Sequence, residues 1–169
     1  MPYYEKNTSV KLRSLHLVML VSTGCHFSVG TRKDFNTGLS MSYNGFAVND
    51  VFLANRAGKH LKSNKVAMDS TFSIVAAGVE NYTLKDGKAY PGCELMIKDK
   101  SGKVVGSSPD VMADLAKNGL APEGATTLFA TITLHHPFIS GETYHVSVRF
   151  FDKQNAKNEI KADIDVLLQ

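Results

Sequence analysis

Hydrophobic and polar residues alternate in the last third of the chain. In the segment 127–134, aliphatic residues alternate with threonine and phenylalanine, and the segments 144–150 and 160–166 repeat the alternation with charged residues on the polar side. Successive side chains of a β-strand point to opposite faces of the sheet, so this pattern predicts three strands. One buried and one polar face per strand is typical of antiparallel sheets.

Shorter segments of the same kind precede these three. They are 39–43, 46–54, 66–77 and 94–98, the last followed by a turn and by 104–105. Glycines at the intervening turns supply the positive φ that tight turns require. About eight strands, with turn signals every ten residues or so, predict an all-β domain. We expect a single antiparallel β-sandwich of the immunoglobulin or transthyretin type over residues 39–169.

The same patterns predict a core and one short helix. The core is expected to contain Phe72, Ile74, Leu95, Ile97, Ile132, Leu134, Val146, Val148, Phe150, Ile164 and Val166. The helix is expected over 109–117, because Ser108 is a favourable N-cap and Pro109 fits the first helical position. Gly119 suits the position after the last turn.

The N-terminal region has the parts of an export signal. Lys11 and Arg13 precede the apolar run 15–21, and Ser22-Thr23-Gly24 leads to Cys25. Basic residues, a short apolar stretch and small residues before a cleavage point form a secretory signal. The run is far below the ~18 residues of a spanning helix. The ending Gly-Cys resembles the lipobox of bacterial lipoproteins, although Ser22 stands where that family usually carries leucine.

The lipobox resemblance implies a location and a modification. It implies cleavage of a signal peptide, residues 1–24, lipidation of the Cys25 thiol by diacylglycerol, and a tether over 25–38. His26 follows the cysteine, whereas enteric lipoproteins kept in the inner membrane carry aspartate there. The resemblance therefore implies an outer membrane lipoprotein that faces the periplasm or the cell surface. The alternatives are an ordinary secretory signal, or an N-terminal strand with a buried cysteine.

Charge excludes one class of partner. The formal net charge is +3, and the predicted signal 1–24 holds three basic residues and one acidic residue, which leaves +1 for the rest of the chain. The remaining charges alternate in sign without a basic stripe or a polybasic patch. We therefore expect no nucleic acid partner, and contact with the membrane through the lipid anchor.

Cysteine and histidine are the first candidates for chemistry. Lipidation of Cys25 would leave Cys93 without an internal partner, and we expect Cys93 to be a small buried residue. If 139–141 forms a three-residue hairpin loop, His135 faces His145 across two strands with Cβ atoms about 5 Å apart. Two imidazoles could begin a zinc or copper site. Because no third ligand can be placed, we expect a solvated pair without a metal.

The remaining candidates are carboxylates and aromatic rings. Asp163 and Asp165 share one strand face, which resembles paired glycosidase carboxylates but is also where acidic residues ordinarily lie. Tyr82, Tyr90 and Phe129 could stack on sugars, but the chain has no tryptophan. Neither a Gly-x-Ser-x-Gly elbow nor a phosphate-binding glycine loop is present.

These observations favour a binding protein over an enzyme. We expect no catalytic residue and no cofactor. The expected function is a lipid-anchored module of the cell envelope that binds or assembles with another envelope protein, because edge strands and end loops of a sandwich suit protein partners. The alternative is an envelope protein that binds a glycan or a metal, or a hydrolase.

Overall fold

A computed structural model describes residues 28–169, which form a β-sandwich. The strands are β1 (Val29–Lys33), β2 (Ser40–Asn44), β3 (Asp50–Asn55), β4 (Lys65–Val66), β5 (Thr71–Ala77), β6 (Pro91–Lys98), β7 (Val104–Ser108), β8 (Thr127–Thr133), β9 (Thr143–Asp152) and β10 (Asn155–Leu168). A 3₁₀ helix, Pro122–Ala125, precedes β8. Within the described range, no helix has the length and apolar character needed to cross a membrane.

The strands form two sheets. The larger sheet has the order β1-β2-β10-β9-β6-β7, with the short β4 pairing in parallel with β10. The smaller sheet has the order β3-β5-β8. All pairs other than β4 and β10 are antiparallel. The predicted all-β class and antiparallel sandwich are confirmed.

The core lies between the sheets and contains nearly all the residues predicted for it. Ten of the eleven are buried, and Leu95 is partly buried against them. The alternation in β8 and β9 is strict, with every second residue buried. Burying one face of each strand is the main favourable contribution to folding, since it removes apolar surface from water.

The predicted helix over 109–117 is replaced by consecutive turns. Ser108 is the last residue of β7, and Asp110 takes the capping role by accepting hydrogen bonds from the N–H groups of Cys93 and Met112. Met112 and Ala116 are buried, but the residues between and beside them are exposed. Such a narrow apolar stripe gives a regular helix little tertiary packing, on which most helical stability depends.

The larger sheet begins earlier in the chain than expected. β1 pairs with β2 along its whole length, so regular structure starts at Val29 rather than at Leu39, inside the predicted tether 25–38. The predicted segment 66–77 is divided, because Asp69 adopts a positive φ of 60° between β4 and β5. The predicted signal and Cys25 lie outside the described residues.

Candidate functional site

His135 and His145 do not face each other. β8 lies in the smaller sheet and β9 in the larger one, so the segment 134–142 crosses between sheets and does not close a hairpin. In the larger sheet, His145 lies between Lys98 of β6 and Asp165 of β10. The predicted histidine pair is wrong, because alternation fixes which residues point inward but not which sheet a strand joins.

His145 contacts carboxylates. Its Nδ1 lies 2.8 Å from Oδ1 of Asp165, and its Nε2 lies 3.6 Å from Oδ1 of Asp163. Ser147 Oγ donates a hydrogen bond of 2.7 Å to the same Asp163 oxygen. Asp163 and Asp165 therefore share the outer face of β10, as predicted. In the part of the chain that the structure describes, no group of three or more His, Cys, Asp or Glu could hold a metal ion.

Charges on the outer face of the larger sheet neutralise one another. Arg149 Nε lies 2.6 Å from Glu159, Lys161 Nζ lies 2.7 Å from Glu159, and Arg149 reaches Glu94 at 3.7 Å. Burial alone would raise the pKa of Glu159, but hydrogen bonds from Lys161 and Arg149 bring it below its ordinary value. Neighbouring charges of opposite sign produce a weaker field at a ligand than a cleft lined by charges of one sign.

Cys93 is a structural residue. Its side chain is fully buried, and its backbone N–H donates to Asp110 Oδ1 at 3.0 Å. Burial raises the pKa of the thiol to about 12, with a further increase from the negative charges of Asp110 and Glu94. Since the thiolate is the nucleophilic form, Cys93 is not activated for catalysis.

The three candidate aromatic residues do not form one platform. Tyr82 is partly buried, and its hydroxyl donates to the carbonyl of Ala125 at 3.0 Å. Burial raises the pKa of Tyr82 above its ordinary value, and the nearby charge of Asp152 adds to this effect. Phe129 is 49% exposed on the outer face of the smaller sheet. Tyr90 is partly buried, and its carbonyl accepts the N–H of Lys153.

A cavity of about 380 Å³ opens at one end of the sandwich. It lies between the β6–β7 turn and the segment 134–142, and we call it the edge groove. Its lining residues are Asp99, Lys100, Ser101, Val105, Pro137, Phe138, Ile139, Glu142, Thr143 and Tyr144. The volume is at the lower end of the range of small-molecule pockets, ~300–1,000 Å³.

A bulge and an aromatic pair build the apolar floor of the edge groove. Lys98 pairs with Val104 and Ile97 with Gly106, so Val105 is an extra residue without a partner on β6. A bulge changes the direction in which a side chain points, and here the side chain of the bulged residue Val105 lines the groove. On the opposite wall, the rings of Phe138 and Tyr144 pack edge to face with centroids 4.9 Å apart.

The rim of the edge groove is polar. Lys100 Nζ lies 2.9 Å from Glu142 Oε1 across the opening. Asp99 Oδ1 accepts the N–H groups of Ser101 and Lys103, which fixes the β6–β7 turn. The Ser101 hydroxyl also donates a hydrogen bond of 2.6 Å to this oxygen, and that bond is the main reason that the pKa of Asp99 lies below its ordinary value. An apolar floor inside a polar rim is the usual anatomy of a protein-binding site.

The edge groove adjoins an open edge of the larger sheet. Among the strands of residues 28–169, β7 pairs with β6 alone and is the last strand of its sheet. The strand, Val-Val-Gly-Ser-Ser, contains neither charge nor proline, which are common protections of an edge. Val104 and Val105 are exposed. Apart from its single bulge, β7 therefore offers to another strand N–H and C=O groups that no residue of 28–169 pairs with.

Sequence patterns missed the edge groove because it depends on the crossing of 134–142 between sheets. The available signal was the apolar run Pro137-Phe138-Ile139, which lies in a segment between two strands where polar residues are usual. Ile139 is 61% exposed, and such a side chain suggests an interaction surface when other apolar residues surround it.

No known protein-family model matches the chain, and no curated protein matches it. Solved structures with a similar fold include the C-terminal domain of Wzt, 10% identical with a TM-score of 0.49, covering 86% of this chain and 79% of that one. Chicken MD-1 complexed with lipid IVa is 16% identical with a TM-score of 0.39, covering 83% and 98%. Superoxide reductase from Ignicoccus hospitalis is 11% identical with a TM-score of 0.36, covering 75% and 82%. These likenesses concern the fold alone.

Proposed function

We propose that the protein is a non-enzymatic module of the bacterial cell envelope, anchored through a lipid on Cys25, that binds another envelope protein at the edge groove. The observation that carries the proposal is the contact between an apolar cavity and an open, uncharged edge strand, joined at Val105. The lipobox resemblance supports the anchor and the outer-membrane location.

The edge of β7 suits an extended segment of a partner. A strand added to a sheet edge gains affinity from main-chain hydrogen bonds, and specificity from pockets that take its side chains. Here the edge groove lies directly beside β7 and is lined by Phe138, Ile139 and Tyr144. Apolar side chains of the partner would occupy the cavity while its backbone pairs with β7.

The distribution of exposed apolar residues supports the same surface. Nine large hydrophobic side chains are exposed in residues 28–169, and five of them lie on β7, on the turns that follow it or on the wall of the edge groove. These five are Val104, Val105, Val111, Leu115 and Ile139. Exposed apolar residues that follow one sheet edge in this way favour an interaction surface, whereas isolated ones are ordinary.

Chemical crosslinking in intact cells, followed by affinity capture and mass spectrometry, tests the proposal. We expect wild-type protein to capture a defined partner and Ile139→Asp to lose it, because a carboxylate in the groove would have to be desolvated when the partner binds. Leu84→Asp is the matched control, since Leu84 is also an exposed apolar residue but lies away from the groove. Equal capture by both variants would refute the site.

The anchor needs a separate test. Cys25→Ala should move the protein from the membrane fraction to the soluble fraction, and the acyl mass should disappear from the membrane-extracted protein. Cys93→Ala is the control, because Cys93 is fully buried and should not affect location. Unchanged membrane association of the Cys25 variant would contradict the lipid anchor. It would not bear on the edge groove, which the crosslinking experiment tests separately.

A further inference from the structure

Exposed apolar residues lie at both ends of the edge that β7 occupies. The edge groove is at one end. At the other end, the residues that follow β7 still run beside β6. The N–H of Val111 donates a hydrogen bond of 2.7 Å to the carbonyl of Cys93 in β6. Val111 and Leu115 are exposed in this continuation. The edge thus has a cavity at one end and protruding apolar side chains at the other.

The two ends are equidistant from the middle of the regular part of β7. Beyond the bulge, this part is 106–108, and its midpoint Ser107 pairs with Met96 of β6. Cys93, which marks the level of Val111, is three residues from Met96 on one side. Asp99, which lines the edge groove, is three residues away on the other side. At ~3.3 Å per residue, each end lies about 10 Å from Ser107.

Charge at the two ends is mostly paired within one copy. At the end that carries Val111, Asp110 lies 2.6 Å from Lys153 and Asp114 is exposed. At the end with the edge groove, Lys100 lies 2.9 Å from Glu142 and Lys103 is exposed. A two-fold axis at Ser107 would place Asp114 of one copy at the end that holds Lys103 of the other, and the protruding apolar residues against the cavity. Such self-complementarity is what an isologous interface requires.

From this we infer that the partner bound at the edge groove is a second copy of the chain. The inference rests on the proposed function and names its partner. The β7 strands of two copies pair antiparallel about an axis at Ser107, and Val111 of each copy enters the edge groove of the other. The larger sheets of the two copies become one continuous sheet, and no open β7 edge remains.

A disulfide across the axis tests the pairing. In the full-length chain with Cys25→Ser, we expect Ser107→Cys to give a disulfide-linked dimer on mild oxidation, because directly opposed strand residues have Cα atoms about 4.5–5.5 Å apart, within disulfide range. Buried Cys93 does not compete. Thr131→Cys is the control, an exposed position on β8 of the other sheet. Equal yields of linked dimer from the two variants, or none from Ser107→Cys, would overturn the inference.

Sedimentation of the Cys25→Ser chain measures the same assembly without a crosslink. We expect a dimer whose dissociation constant rises roughly tenfold or more with Val111→Asp, since a few buried apolar contacts dominate most interfaces. Leu84→Asp should leave it unchanged. A monomer at all concentrations would overturn the inference. If Ile139→Asp still abolished capture of a different protein in cells, that monomer would leave the proposed function standing.

Discussion

The hydroxyl of Tyr144 accepts a hydrogen bond of 2.9 Å from the backbone N–H of Ile139. Tyr144 is the second residue of β9, and Ile139 belongs to the segment 134–142 that crosses between the sheets. The bond fixes this segment to the larger sheet, and the edge-to-face packing of Phe138 on the Tyr144 ring strengthens the attachment. One tyrosine therefore positions a whole wall of the edge groove.

Tyr144→Phe should loosen that wall without emptying it. The ring and its packing on Phe138 remain, while the hydrogen bond is lost, so we expect the free energy of unfolding to fall by about 1 kcal/mol. Urea denaturation measures this change. Partner capture should weaken at the same time. Tyr43→Phe is the control, because the Tyr43 hydroxyl makes no hydrogen bond in the described part of the chain. Equal losses in both variants would contradict the role of Tyr144.

The alternation of hydrophobic and polar residues is sufficient to predict the last three strands and most of the core. It is a direct consequence of strand geometry, and it identified β8, β9 and β10 together with ten buried residues. The hairpin of β6 and β7 was also predictable, because Asp99 and Gly102 form a turn that joins neighbouring strands and fixes their pairing locally.

Long-range pairing was not predictable in the same way. β8 buries the same residues whether it pairs with β9 or with β5, so nothing in its alternation reveals that it joins the smaller sheet. The edge groove depends on that choice. The segment after Ser108 does contain a capping residue, but it is Asp110. Its carboxylate accepts N–H groups of Cys93 and Met112, which fixes turns against β6 and does not start a helix.

Asp110 should be important for stability. One carboxylate oxygen accepts the N–H groups of Cys93 and Met112, and the other lies 2.6 Å from Lys153 Nζ. We expect Asp110→Ala to lower the free energy of unfolding by about 1–2 kcal/mol, as for the loss of a helix cap. Asp114→Ala, which changes an exposed aspartate of the same segment, should stay within about 0.5 kcal/mol. Chemical denaturation distinguishes the two, and equal effects would refute the assignment.

Asp110 should also make stability depend on pH. Burial opposes its ionisation, but hydrogen bonds from Lys153 and from the two backbone N–H groups outweigh that effect and lower its pKa. Its contribution is therefore complete above the ordinary aspartate value of 3.8 and is lost as the pH falls through the lower folded-state pKa. The free energy of unfolding, measured as the pH is lowered, should fall less steeply in Asp110→Asn than in wild type. Identical profiles would contradict this prediction.

Cys93 should be inert in the folded protein. With a pKa of about 12 and no exposed surface, only about one thiol in ten thousand would be ionised at pH 8. In the Cys25→Ser chain, we expect a thiol reagent to react at the rate of unfolding and to become fast in denaturant. Rapid reaction of the native protein would show that Cys93 is accessible.

The histidines should bind zinc weakly at most. His135 and His145 are attached to different sheets, and His145 is engaged with Asp165. We expect thermal melts of wild type to be unchanged by zinc, and His145→Ala to lower the free energy of unfolding by less than about 1 kcal/mol, because its contacts with the carboxylates are exposed. His135→Ala is the control. A zinc-dependent rise in the melting temperature that disappears in the His145 variant would contradict the expectation.

The β7 edge and the edge groove form the proposed binding surface. A photoreactive residue placed at Val105, and in a second strain at Phe129, tests it in intact cells. Both positions are exposed apolar residues on strands, but they lie on different sheets. We predict a discrete crosslinked protein product from position 105 and none from position 129. Product from position 129 together with none from position 105 would show that the partner binds elsewhere than at the β7 edge.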